Sequence, residues 1–235
     1  MDTLVYYSIT PHRMKKLLLP ALLILSAGLS HAAPPAPAHW KLCSTCHGDN
    51  GHGNKAIHAP AIAGLPDWYV QRQLEKFQTN IRGAHPDDIE GHLMRPMARS
   101  LPEKLIPAMA EYVASLPKAE TSHTLGGDPE KGRVLYNSCI GCHGIHGEGN
   151  PALKAPSQAG MNDWYMLAQL KKFKGNIRGN SPKDLEAMTM KPIVALLPDE
   201  QAMIDVISYI QTLPGKVPPA TVDPKPVEEK GEESK

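Results

Sequence analysis

Cys43-Ser44-Thr45-Cys46-His47, followed 96 residues later by Cys139-Ile140-Gly141-Cys142-His143, is the pair of stretches that decides how the rest of the chain reads. Two thiols separated by two residues at the start of a helical turn reach the two vinyl groups on one edge of a porphyrin. The imidazole that follows then lies beneath the iron as its proximal ligand. A zinc ribbon brings its two Cys pairs within about 20 residues of each other, whereas these sit far apart. A redox-active dithiol leaves the histidine unexplained. All four cysteines of the chain belong to the two motifs. The spacing therefore predicts two covalent haem c groups, one through Cys43 and Cys46 and one through Cys139 and Cys142, with iron bound by His47 and His143.

The offset of 96 extends well beyond the motifs. It carries Ala59-Pro60 onto Ala155-Pro156, Gly64 onto Gly160, Asp67-Trp68-Tyr69 onto Asp163-Trp164-Tyr165, and Asn80-Ile81-Arg82-Gly83 onto Asn176-Ile177-Arg178-Gly179. The chain is thus one unit written twice, with expected domains at 33–119 and 128–214 and a linker at 120–127 that lacks apolar periodicity. Within each unit, Val70, Leu74, Phe77 and Ile81, and likewise Met166, Leu170, Phe173 and Ile177, share one helical face. Asp67 and Asp163 are the expected N-caps, and Gly83 and Gly179 stand at the far end. A closing helix is expected from Pro198-Asp199 to Leu213-Pro214, with Val206, Ile207, Ile210 and Leu213 facing inward. Its counterpart ends at Leu116-Pro117, where Pro107 predicts a kink or a late start. No stretch reads as a strand, so the fold class is all-α. Two phenylalanines in the whole chain leave each half short of large core side chains, a shortage that a buried haem would offset.

The face of each iron opposite histidine takes a second protein ligand or stays open, and a His/Met pair suits electron transfer. Met94, Met97 and Met109 are available in the first unit, and Met188, Met190 and Met203 in the second. Only Met94 and Met190 keep the offset, each 47 residues after its histidine and seven before a matched leucine, Leu101 or Leu197. They are the expected axial ligands, with Met97 and Met188 as alternatives. Met109 and Met203 read as core methionines. His85 or His92 would give bis-histidine ligation at the first iron, but neither has a counterpart in the second unit. His52, His58 and His146 read as solvated loop residues. Filled coordination spheres suit a carrier of single electrons. A haem enzyme such as a peroxidase needs an open position with acid–base groups beside it, and no catalytic residue is expected.

A proximal histidine needs an acceptor on its other ring nitrogen, and the carbonyls of Pro60 and Pro156 are the natural choice. Trp68, Trp164, Tyr69 and Tyr165 combine ring area with polar tips that reach toward a haem propionate, and Arg82 and Arg178 are further propionate partners. The alternative for all six is ordinary packing.

From Met14 the chain reads Met-Lys-Lys, a leucine-rich run from Leu17 to Leu29, then Ser30-His31-Ala32-Ala33. This is the order of a secretory signal, expected at 1–32 with the true start at Met14. The run is shorter than the roughly 20 residues of a membrane-spanning helix, and an uncleaved anchor is the other reading. Cleavage removes three of the 25 basic and one of the 24 acidic side chains, leaving a net charge of −1. No basic field for nucleic acid remains. The Pro-, Glu- and Lys-rich stretch at 215–235 reads as a disordered tail.

From about Trp40 to Leu213 the chain resembles tandem class I cytochrome c domains of the dihaem cytochrome c4 type. The resemblance rests on the Cys-x-x-Cys-His pair, the Ala-Pro-x-x-Ala-Gly segments at Ala59 and Ala155, Gln73-Leu74 with Gln169-Leu170, and the methionine-to-leucine spacings at Met94 and Met190. It implies helical domains, each wrapped around one haem, a periplasmic location and electron transfer in a respiratory chain. Implied partners are redox proteins: a donor such as a quinol–cytochrome c reductase or a dehydrogenase, and an acceptor such as a terminal oxidase. Peripheral membrane association is compatible with this, as is a role as the dihaem subunit of a dehydrogenase such as a flavoprotein. One departure stands out. The second unit opens with Asp128-Pro129-Glu130-Lys131-Gly132, a good helix start, while the first has Pro34-Pro35-Ala36-Pro37, which allows only a short N-terminal helix and predicts a less stable domain.

Overall fold

The computed structural model describes residues 34–216, so the expected signal and nearly all of the expected tail lie outside the described residues. The first unit is built from α1 (Trp40–His47), α2 (Asp67–Gln78), α3 (Ile89–Ser100) and α4 (Ile106–Ser115). The second is built from α5 (Pro129–Tyr136), α6 (Ile140–His143), α7 (Asp163–Lys174), α8 (Leu185–Ala195) and α9 (Glu200–Ile210). Among the described residues, extended pairing is confined to isolated bridges between Asn54 and Ala59 and between Asn150 and Ala155. Both hold closed the loops that follow the Cys-x-x-Cys-His motifs.

The helices α2 and α7 form where the periodicity places them, with a correction at each end. Pro66 and Asn162 occupy the cap positions, and Asp67 and Asp163 are the first helical residues. Each carboxylate accepts from the next amide, that of Trp68 or Trp164, at 2.7 Å. The Asp163 carboxylate is fully buried because it also takes the Leu125 amide at 3.0 Å, the Thr124 amide, and the Thr124 hydroxyl at 3.0 Å. It fastens the connecting segment rather than capping a helix. Ile81 and Ile177 lie past the helix ends, where Asn80 and Asn176 take left-handed conformations with φ of 61° and 59°. That bend returns the amides of Ile81 and Arg82 to the Lys76 carbonyl, and those of Ile177 and Arg178 to the Lys172 carbonyl.

Pro107 produces a late start. A short 3₁₀ turn at Glu103–Leu105 precedes α4, and Pro107 falls in its first turn, where the missing amide costs no hydrogen bond. Helix α9 starts after the Asp199 cap but ends at Ile210, before Leu213, which is only partly buried. Periodicity did not foreshadow α3 and α8, because Pro96 and Pro192 interrupt their interiors. Both are started by an aspartate, Asp88 accepting from the Gly91 amide and Asp184 from the Ala187 amide.

In the first unit α2 packs against α3 and α4, and in the second α7 packs against α8 and α9. Met109 and Met203 are buried in the two cores. The second unit adds α5, which crosses α9. In the first no helix precedes Trp40 among the described residues, and the Trp40 ring meets Tyr112 of α4 edge-on at 5.1 Å.

Candidate haem sites

Each Cys-x-x-Cys-His motif ends a helix, and a glycine with positive φ, Gly48 or Gly144, turns the chain away immediately after the histidine. The loop then folds back along the imidazole. Gly53 donates to the His47 carbonyl at 2.7 Å and Gly149 to that of His143 at 2.9 Å. These two glycines also have positive φ, and a Cβ on either would stand 2.5 Å from the backbone nitrogen of Ala61 or Ser157. The tight approach brings the next proline carbonyl onto the ring. His47 Nδ1 lies 2.7 Å from the Pro60 oxygen, and His143 Nδ1 lies 2.9 Å from the Pro156 oxygen.

Both histidines are buried. Burial pushes their pKa values below the ordinary imidazole value, opposed by the proline hydrogen bonds. The rings are therefore neutral, with the proton on Nδ1 and the lone pair on Nε2, which is the form that ligates metal. His143 Nε2 is buried without any hydrogen-bond partner. A polar atom left in this state costs free energy unless something is placed against it. Cys43 and Cys139 are half-buried beside these rings, and burial raises both thiol pKa values.

In the first unit these groups open into a cavity of about 330 Å³ lined by Cys43, Cys46, His47, Val70, Leu74 and Met94. The walls are mainly apolar and include two thiols, an imidazole and a methionine, a set that fits a covalently held iron porphyrin. Met97 reaches the same cavity but is 36% exposed, and Met188 is 42% exposed, while Met94 and Met190 are more buried. Met190 packs beside the core of the second unit.

The structure places the aromatic and arginine candidates between the two units. Tyr69 is buried at the first cavity, and Trp164 and Tyr165 of the second unit reach it as well. The Arg82 guanidinium donates to Gln73 at 2.7 Å, to the Tyr165 hydroxyl at 2.9 Å and to Gln169 at 3.2 Å. Arg178 donates to Gln169 at 2.7 Å and to Gln73 at 3.4 Å. Each guanidinium also stacks 4.7 Å from the centre of a phenylalanine ring, Phe77 or Phe173. Trp68 stands on the same seam, with the Lys154 ammonium 6.0 Å from its ring. His58, expected to be merely solvated, contacts Glu90 at 3.2 Å, and its ring lies 6.2 Å from that of Trp164.

Ion pairs across this seam escaped the sequence reading. Lys76 donates to Asp184 at 2.5 Å and to Glu186 at 2.8 Å, while Lys172 donates to both Asp88 and Glu90 at 2.6 Å. Arg72 adds a further pair with Glu186. The Lys172 hydrogen bond holds Glu90 down at about 2. Burial raises Glu186, but the hydrogen bonds from Lys76 and Arg72 outweigh it and bring this carboxyl to about 2 as well. A signal was present in the sequence: Lys76 and Lys172, Asp88 and Asp184, and Glu90 and Glu186 all keep the offset of 96.

Two helical units, each presenting a Cys-x-x-Cys-His motif and a neutral buried imidazole, define a dihaem c-type cytochrome. Comparison with known proteins agrees. The cytochrome c family matches residues 37–117 and again 129–214, so the chain belongs to that family. It is 30% identical over 219 residues to cytochrome c4 of Azotobacter vinelandii, covering 85% of this chain and all of that protein. A thiosulfate dehydrogenase electron acceptor of Thiomonas intermedia is 34% identical over 172 residues, covering 66% of this chain and 71% of the relative. The crystal structure of reduced cytochrome c4 from Pseudomonas stutzeri superimposes with a TM-score of 0.57 at 26% identity, covering 74% of this chain and 96% of that one. The chain is a cytochrome c4-like electron carrier with two covalent haem c groups, at Cys43, Cys46 and His47 and at Cys139, Cys142 and His143. Among the described residues no helix is long and apolar enough to cross a membrane.

Proposed function

We propose that the protein is exported to the periplasm and passes single electrons between redox proteins of a respiratory chain, with His47 and Met94 capping one iron and His143 and Met190 the other. The observation that carries this reading is the pair of buried histidines pinned through Nδ1 to proline carbonyls, with Nε2 left for metal. When bound, haem c supplies the one-electron ferric/ferrous couple. Pro60 and Pro156 fix the tautomer and orientation of the proximal rings, so that the ligand does not move when the charge on the iron changes. Met94 lines its cavity from the side of α3. Tyr69, Tyr165, Trp68, Trp164, Arg82 and Arg178 lie along the seam between the units, where the two arginines would supply positive charge to haem propionates.

The likeness to a thiosulfate dehydrogenase electron acceptor supports a second reading, in which the electron donor is a dehydrogenase that holds this protein as its acceptor subunit. One preparation tests both. The oxidised holoprotein should show the near-infrared band of methionine-ligated ferric haem at the intensity of two haems, and the reduced protein should resist carbon monoxide. Ready binding of the gas would overturn the carrier reading. Purification under mild conditions should yield a free protein if it is a mobile carrier, and a stoichiometric dehydrogenase polypeptide if it is a subunit.

A further inference from the structure

The cross-seam lysines end on a particular feature of the opposite unit. Asp88 is the N-cap of α3, the helix that carries Met94, and Asp184 is the N-cap of α8, which carries Met190. Lys172 of the second unit binds Asp88 together with Glu90 in the first turn of α3. Lys76 of the first unit binds Asp184 together with Glu186 in the first turn of α8. The side chains of both lysines and both aspartates are buried, with exposures from 3% to 12%. Charge-assisted hydrogen bonds in such a setting are stronger than surface pairs.

Each lysine is itself held in place. Its backbone carbonyl receives the two amides that close the bend after its own helix, so the ammonium is presented from a fixed base. The methionine helices, by contrast, are weak in their middles. Pro96 and Pro192 lie two residues beyond Met94 and Met190 and remove one helical hydrogen bond each. The half-helix that bears the methionine therefore depends on how its N-terminal end is anchored.

We infer that each domain anchors the methionine helix of the other: Lys76 is a positioning residue for the sulfur ligand of the second haem, and Lys172 for that of the first. This rests on Met94 and Met190 being the axial ligands. The two anchors are unequal. Glu186 is also held by Arg72, whose counterpart under the offset is Ala168, while Glu90 has only His58 as its additional partner. Loss of Lys172 should therefore loosen the first haem more than loss of Lys76 loosens the second.

The test uses the full chain with both haems. The methionine methyl resonances of the reduced protein are assigned with M94H and M190H, and imidazole is then titrated against each ferric haem. K172M should shift the Met94 methyl signal and raise imidazole affinity at the first haem roughly tenfold, leaving the second haem unchanged. K76M should act on the second haem only, and by a smaller factor. D88N and D184N keep a capping side chain while removing the ionic partner, so D88N should match K172M at the first haem and D184N should match K76M at the second if either lysine variant folds poorly. Equal loosening of both haems, an effect on the lysine's own domain, or no effect would overturn the inference. Methyl signals that persist in both M94H and M190H would instead refute the ligand assignment, and the inference with it.

Discussion

The two domains share the haem-site frame residue for residue, yet they support it differently at the N-terminal side. In the second domain α5 crosses α9 so closely that a Cβ on Gly132 would stand 1.9 Å from the Asp205 carbonyl oxygen. Tyr136 at the end of α5 is buried, donates to the Gly144 carbonyl at 2.8 Å, and meets the Tyr209 ring of α9 at a tilt, 5.4 Å between centres. Behind this contact lies a core of eleven buried side chains. In the first domain the described part of the proline-rich entry, residues 34–37, forms no helix, and Trp40 packs against Tyr112 on the corresponding face of α4. Its indole donates to the Asp49 carbonyl at 3.2 Å, and its cluster contains six buried side chains. Matching sites thus stand on a helix crossing in one domain and on a single large ring in the other, so damage to each should have different consequences.

The largest effect is expected from Trp40→Ala, which removes a buried ring packed against Tyr112 of α4. It should cost the first domain about 3–5 kcal/mol, read as a separate, earlier unfolding transition by calorimetry of the holoprotein. Gly132→Ala comes next. It pushes α5 off α9 and should cost the second domain about 1–3 kcal/mol, bringing the two transitions together or reversing their order. Asp163→Asn leaves the helices intact but disturbs the buried acceptor of the Thr124 and Leu125 amides, at about 1–2 kcal/mol, and should speed proteolysis of the segment around residue 124. In the unaltered protein, amide hydrogen exchange should be faster in α4 than in α9. Equal protection would mean that the two domains do not differ in stability.

The smallest and most specific effect concerns the seam shared by both domains. Glu90 and Glu186 have their pKa values lowered from the ordinary 4.5 to about 2. A depressed carboxylate stabilises the folded arrangement at pH above the ordinary value, and that contribution is lost as pH falls from 4.5 toward 2. The domains should therefore loosen against each other in that window before either unfolds, seen as an increase in radius of gyration by small-angle scattering. Glu90→Gln should abolish part of the change.

Much of the chemistry was legible because covalent haem attachment demands fixed local spacing. Two thiols and an imidazole within five residues carry their meaning wherever they fold, while the assignment of Met94 and Met190 among six candidate methionines stands as a proposal from the internal offset. The helices α2 and α7 were legible for a similar reason, since their apolar period is unbroken. The helices α3 and α8 were not, because Pro96 and Pro192 disrupt the period, and these helices rest on their aspartate caps and on packing against α2 and α7. From sequence, Arg82 and Arg178 suggest only a role toward propionates. Their position on a shared seam, bonded to Gln73, Gln169 and Tyr165, became visible only when two distant stretches of chain came together.

By itself the sequence determined that the chain is a duplicated, helical, haem-binding protein, since these properties follow from spacing along a single strand of residues. Only the tertiary structure decided which surfaces of the two copies meet, and that Lys76 and Lys172 each end on the helix cap of the opposite copy. Ion pairs between residues about a hundred positions apart have no local pattern to announce them, because their geometry is fixed by the packing of both domains at once.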